Sequence, residues 1–252
     1  MTSFTNLKVY PNLPNICSKN DNFTLRSILF FKLVLSILEK KLQTVHLEFI
    51  SDYICPWCYI GKARLERVKE ILKDEINLEI QVSPFLLYPS IPKGGVDKVI
   101  FSKTSKPGMG RSLRDEAKLE GIEINYKNIE RIPNSLEAHR LTWLIEPVLK
   151  YEFAKRIFHA YFEDGKNIEA TSFLMEQAKI VGVDKKFLEK FASTSAGKVE
   201  VDLAIRNAKD EFISVVPSFR LDYKFLIPGL QSVEVWEKYI RRTAVIQQRG
   251  KE

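Results

Sequence analysis

The sequence is poor in cysteine and histidine, with three of each in 252 residues. An odd, low cysteine count argues against a secreted disulfide framework. A structural zinc site needs about four Cys or His ligands. Cys17, His46, His139 and His159 form no ligand pair beside Cys55 and Cys58, so no metal and no other cofactor is expected. No apolar run reaches the length of about 18 residues that a membrane-spanning helix requires. The longest candidate, Ile28–Leu38, is interrupted by Lys32. With only 11 glycines and 11 prolines, collagen-like and low-complexity classes are excluded. What is present is 45% apolar and 28% charged, the composition of a globular chain long enough to bury a core without staples.

The net charge of +7 is unevenly spread. Residues 1–43 carry six Lys/Arg against Asp21 and Glu39, and residues 241–252 carry four against Glu252. Residues 44–240 are therefore neutral. No basic stripe with interleaved aromatics appears, so no nucleic-acid partner is expected. The acid-poor stretch 1–43 reads as an atypical N-terminal extension and residues 243–252 as a basic tail. An apolar helix packed on the domain, or a misplaced start codon, is the plainer account of the extension. An exporting or organelle-targeting segment is the alternative. The expected location is the cytoplasm, or an organelle or the exterior if residues 1–43 are such a segment.

Residues 44–50 alternate and are rich in β-formers, which predicts a strand. Ala63, Leu65, Val68, Ile71 and Leu72 recur at helical spacing. Residues 76–87 read as a second strand closing at Pro84. Residues 89–110 are rich in Pro, Gly, Ser and Lys and read as a loop. From about 111 to 211 the pattern is helical. One predicted helix covers 134–150, with Asn134 as its cap and Glu137 three residues on, close to a capping box. Gly165 and Gly182 sit where helix C-terminal glycines belong. Residues 213–222 and 223–229 read as two short strands, and 232–242 as a helix capped by Ser232. The expected class is α/β: a thioredoxin-like fold with an α-helical domain inserted between its β-α-β and β-β-α halves. The thioredoxin-like part is 44–95 with 212–242, and the insertion is 96–211.

The chemistry sits at Cys55-Pro56-Trp57-Cys58. Two thiols three positions apart in the first turn of a helix can close a disulfide with little rearrangement. The free N–H groups and macrodipole of a helix N-terminus stabilise a thiolate at Cys55. The thiolate is the species that attacks in disulfide exchange. Pro56 suits the first helical position, where its missing N–H costs nothing. Cys58, one turn deeper, would resolve a mixed disulfide. Trp57 is read as part of the substrate-facing rim, or as a packing residue. Val216-Pro217 precedes a short strand. In a thioredoxin-like fold that loop faces the cysteine pair, so the bond is expected to be cis and to present Val216's backbone to a bound peptide. Asn134 and His139 are candidates to line the cleft between insertion and sheet, where a substrate would sit.

Residues 49–66, FISDYICPWCYIGKARLE, resemble the active-site segment of DsbA-like oxidoreductases of the FrnE type. Residues 134–141 and 157–168 are similar to two segments of that family's helical insertion. Residues 215–231 resemble its cis-proline hairpin, with Val215 in place of a more usual glycine. The resemblance covers about 45–240. It implies thiol–disulfide oxidoreductase or isomerase activity, with Cys55 as nucleophile, Cys58 as resolving thiol and Pro217 as the cis-proline. The same superfamily holds 2-hydroxychromene-2-carboxylate isomerases and kappa-class glutathione transferases, which look to carry serine in place of the first cysteine. Partners implied are a disulfide-bearing protein or peptide, or glutathione, with a homodimer allowed. Two rival readings stay open: a glutathione-dependent isomerase or transferase, and a non-enzymatic chaperone or binding module.

Overall fold

A computed structural model describes residues 42–105 and 111–250. The basic extension, with Cys17 and the apolar run Ile28–Leu38, lies outside the described residues. Strand β1 (Gln43–Ser51) alternates buried Val45, Leu47 and Phe49 with partly exposed residues, then becomes continuously buried at Ile50 and Ser51. That buried end delivers the chain to the cysteine pair. Helix α1 (Pro56–Leu72) follows, then β2 (Ile76–Pro84). β1 and β2 pair in parallel along their whole lengths, Gln43 with Ile76 through Ser51 with Pro84. β2 turns Asn77, Glu79 and Gln81 outward, as suits a sheet edge.

The chain leaves the sheet after Pro84. A two-stranded ribbon of β3 (Val96–Asp97) and β4 (Arg131–Ile132) frames α2 (Lys98–Ser105) and α3 (Arg111–Leu119). Then come α4 (Leu136–Leu144), α5 (Pro147–Phe162), α6 (Thr171–Ile180), α7 (Lys185–Ser193) and α8 (Lys198–Asp210). The chain returns as β5 (Ser218–Leu221) and β6 (Phe225–Pro228), and ends in α9 (Val233–Arg249). The four-stranded sheet has the order β2-β1-β5-β6, with β5 antiparallel to both its neighbours. The mixed α/β, thioredoxin-like architecture read from the sequence is the one present.

An aromatic seam joins the layers. Phe219 stacks on Phe49 at 5.3 Å and meets Trp236 of α9 edge-on at 4.7 Å. Phe158 of α5 lies against Phe49, Tyr53 and Tyr59, and Tyr59 stacks on Phe162 at 5.3 Å. Such offset and edge contacts add roughly 0.5–1.5 kcal/mol each beyond burial. Helix α5 is thereby packed against both β1 and the start of α1.

Three local expectations are corrected. The helix expected over 134–150 is broken at Ile145–Glu146, both in extended conformation, because Pro147 disfavours helical geometry in the residue before it. Pro147 instead occupies the first turn of α5. Asn134 is not the cap of α4. Ser135 holds that position with its side chain turned elsewhere, and Glu137 pairs with Arg140 instead of closing a capping box. Within the expected loop 89–110, residues 98–105 are helical: Asp97 Oδ1 accepts from the amides of Val99 and Ile100 at 2.8 and 3.1 Å. By contrast, Ser232 Oγ does cap α9, accepting from Val235 N at 3.4 Å.

Candidate active site

Cys55 is the N-cap of α1 and Pro56 its first residue. The Cys55 amide donates to Asp52 O at 3.0 Å, and the amides of Cys58 and Tyr59 donate to Cys55 O. Both cysteines are buried free thiols, with Pro56 and Trp57 partly exposed between them. Trp57 also packs against the core. The Val216–Pro217 bond is cis. Cys55 Sγ lies 3.6 Å from Val216 O, and Pro217 O accepts from Gly229 N at 2.8 Å, which joins the cis segment to the end of β6.

Gly61, one turn beyond Cys58, explains how closely the loop sits. A Cβ there would come within 3.2 Å of the Phe219 ring and 3.4 Å of Pro217 Cγ. The absence of a side chain lets α1 approach the cis-proline loop. Sequence reading passed over this glycine, although an interior helical glycine beside a redox motif is a usable signal, since it destabilises a helix by about 0.5–1 kcal/mol relative to alanine.

Burial pushes the Cys58 thiol well above its ordinary value of 9.0, and the neighbouring Cys55 sulfur adds to the rise by hydrogen bond and charge. Cys58 thus holds its proton. Tyr88 and Tyr126 stand near enough to feel Cys55. Burial raises both hydroxyls first, and the Cys55 charge raises them further.

Beneath the pair lies a polar cluster that sequence reading missed. Asp52 is fully buried. Its Oδ2 accepts from Leu87 N at 2.7 Å, and its Oδ1 accepts from Ser135 Oγ at 2.6 Å and Ile54 N at 3.4 Å. His139 Nε2 approaches Asp52 Oδ1 at 3.5 Å, and the His139 ring lies 4.7 Å from that of Tyr53. Tyr53 in turn hydrogen-bonds Thr142 at 2.6 Å. His139, proposed to line the cleft, is 2% exposed and faces Asp52 in the interior. Asn134 is partly exposed and ties the 89–95 loop down, donating Nδ2 to Ile91 O at 2.7 Å while its Oδ1 accepts from Leu136 N. Cys55, Cys58, Val216 and Pro217 are therefore brought together, with His139 linked to them through Asp52 and Asn134 at the margin. An acid three residues before the first cysteine was the available signal. Its side-chain partners, Ser135 and His139, lie 83 and 87 positions away in sequence.

Among the described residues, no group of three or more His, Cys, Asp or Glu could hold a metal ion. No described helix is long and apolar enough to cross a membrane.

This cysteine pair at a helix N-terminus, opposite a cis-proline on a four-stranded mixed sheet, defines a DsbA-like thioredoxin-fold protein. The chain belongs to the DSBA-like thioredoxin domain family, whose description it matches over residues 46–241. It is 32% identical over 201 residues to the uncharacterized protein YwbO of Bacillus subtilis strain 168, covering 79% of this chain and 96% of that one. Among solved structures it is similar to SCO1869 of Streptomyces coelicolor, described as a probable DsbA oxidoreductase. Identity there is 26%, coverage 79% of this chain and 89% of that one, and the TM-score 0.69. A 2-hydroxychromene-2-carboxylate isomerase shares the fold, with 17% identity, TM-score 0.58 and coverage of 82% and 98%.

Proposed function

We propose that this chain is a thiol–disulfide oxidoreductase of the FrnE type acting through the Cys55–Cys58 couple. One observation carries the reading: the thiol of the N-cap residue Cys55, set 3.6 Å from the carbonyl of Val216 before the cis-proline, beside a second thiol that burial keeps protonated. Cys55 thiolate attacks one sulfur of a substrate disulfide. A Cys55–substrate disulfide forms, the substrate S–S bond breaks, and the other substrate sulfur leaves with the electron pair and takes a proton. Cys58 then loses its proton and attacks Cys55 Sγ. The mixed disulfide breaks, Cys55–Cys58 forms, and the second substrate thiol departs. Two electrons pass from the protein to the substrate; the reverse sequence oxidises a dithiol, and leaving the mixed disulfide to a substrate thiol isomerises it. The relative potentials of protein and substrate set the direction.

A disulfide-bearing protein or peptide, or glutathione, is the partner class. Retention of both cysteines supports exchange over the serine-first glutathione chemistry elsewhere in the superfamily. The test is insulin disulfide reduction. Cys55→Ser is expected to abolish it. Full activity in that variant would refute the reading.

A further inference from the structure

Gly61 is buried inside helix α1. It is not one of the glycines with a positive φ, so its helical backbone would suit any residue. An interior helical glycine is unfavourable relative to alanine. Conformation therefore gives no reason for glycine at this position, and the reason lies in space.

The three atoms nearest to a Cβ at position 61 all belong to the Val216–Pro217 loop and the strand it opens: Phe219 Cζ at 3.2 Å, Pro217 Cγ at 3.4 Å and Pro217 Cβ at 3.5 Å. Neither residue has room to step aside. Phe219 is fully buried, stacked on Phe49 at 5.3 Å and met edge-on by Trp236 at 4.7 Å. Pro217 O accepts from Gly229 N at 2.8 Å, which holds the loop to the end of β6. An added methyl group would instead push the start of α1 and the loop apart by a few tenths of an ångström.

The same loop meets the first cysteine, with Cys55 Sγ 3.6 Å from Val216 O. That oxygen is the negative end of a carbonyl dipole. It accepts from a thiol S–H and repels a thiolate. The amides at the N-terminus of α1 act in the opposite sense. They travel with Cys55, because it is the N-cap of the same helix. Separating helix from loop thus weakens only the carbonyl's part.

Resting on the oxidoreductase reading above, we infer that Gly61 is a positioning residue: its lack of a side chain sets the contact between Cys55 Sγ and the Val216 carbonyl, and with it how readily Cys55 becomes the attacking thiolate. A side chain at position 61 makes Cys55 a readier thiolate. The reduced pair is then stabilised, and the couple becomes a stronger oxidant.

The experiment uses full-length Gly61→Ala and Gly61→Val proteins equilibrated with glutathione and glutathione disulfide. The dithiol passes two electrons and two protons to glutathione disulfide, which becomes two glutathione thiols, and the equilibrium constant is the readout. A second readout needs no redox step: the rate of Cys55 alkylation by iodoacetamide at low pH in a Cys58→Ala background, followed on the Cys55 peptide by mass spectrometry. The constant is expected to move toward the dithiol by about three-fold in Gly61→Ala and about ten-fold in Gly61→Val, with alkylation faster by similar factors. Gly61→Ala alone decides if the valine protein does not fold. Phe219→Leu removes the atom nearest to the added Cβ, so in that background the effect of Gly61→Ala should shrink by about half or more. A merely structural role for Gly61 would lower the thermal midpoint and leave both readouts in place. Unchanged readouts in folded Gly61→Ala protein would overturn the inference, as would an effect of equal size with and without Phe219→Leu. No Cys55–Cys58 disulfide at any glutathione ratio would sink the oxidoreductase reading, while the alkylation rates would still decide the role of Gly61.

Discussion

At the scale of single residues, the two cysteines are set apart by burial and position. Cys55 is the N-cap residue of a helix, with its sulfur beside the carbonyl of Val216, the residue before the cis-proline. Cys58 sits one turn deeper, with its thiol pushed up by burial and by Cys55. Cys58 must lose that proton before it resolves a mixed disulfide. The resolution rate of a Cys55–thionitrobenzoate adduct should therefore rise about ten-fold per pH unit between pH 7 and pH 9. Stopped-flow release of the chromophore reads this directly, and a flat profile would contradict it. Asp52 is the second residue-scale claim. Its carboxylate receives two amides and a hydroxyl in the interior. Asp52→Asn leaves one acceptor oxygen where there were two and turns an NH₂ toward a donor. A loss of about 1–3 kcal/mol is expected in urea unfolding. A loss below about 0.5 kcal/mol would show that the cluster is not a structural tie.

At the scale of elements, α1 is fastened to its neighbours through Arg64. Arg64 bonds Glu116 and, at 2.8 Å, Glu120 of the segment ending α3, and donates to Gln231 O at 2.9 Å ahead of α9. Arg64 and Glu120 are both largely buried. Arg64→Ala strips a buried acid of its main partner and should cost about 3 kcal/mol by thermal or chemical unfolding, with Arg67 on Glu120 as the residual contact. A change within about 0.5 kcal/mol would mean that the pairing is a surface feature. Element by element, the legible parts were those with local causes. The β1–α1–β2 start, the proline at the head of α1, the hairpin after Pro217 and the Ser232 cap all follow from spacing and composition. The break before Pro147 was locally signalled too, yet apolar periodicity ran straight across it. Helix α2 was hidden because its Asp97 cap follows a Pro- and Gly-rich stretch. Of the Asp52–Ser135–His139 cluster, the acid three residues before Cys55 was visible in the sequence but its pairing was not, since helix α4 reaches Asp52 only through the tertiary fold.

For the whole molecule, the chemistry at Cys58 is linked to stability. Its folded value lies above the ordinary 9.0, so the folded state keeps a proton that the unfolded state releases. The sign follows: this contribution is fully present below about pH 9 and is lost as pH rises toward the raised value. The buried tyrosines, raised from an ordinary 10.0, act in the same direction but only at higher pH. Reduced protein should therefore lose stability between pH 9 and 10, and Cys58→Ala should lose distinctly less over that window, as read by urea midpoints. Equal losses in both would place the effect elsewhere. The net charge of +7 takes no part in this, since it belongs to the two ends of the chain while residues 44–240 are neutral.

The central claim is that Cys55 is the attacking thiol and Cys58 the one that resolves. Cys58→Ser protein mixed with a disulfide peptide should accumulate a covalent adduct, and peptide mapping by mass spectrometry should place it on Cys55. No adduct, or an adduct on Cys17 alone, would contradict the claim.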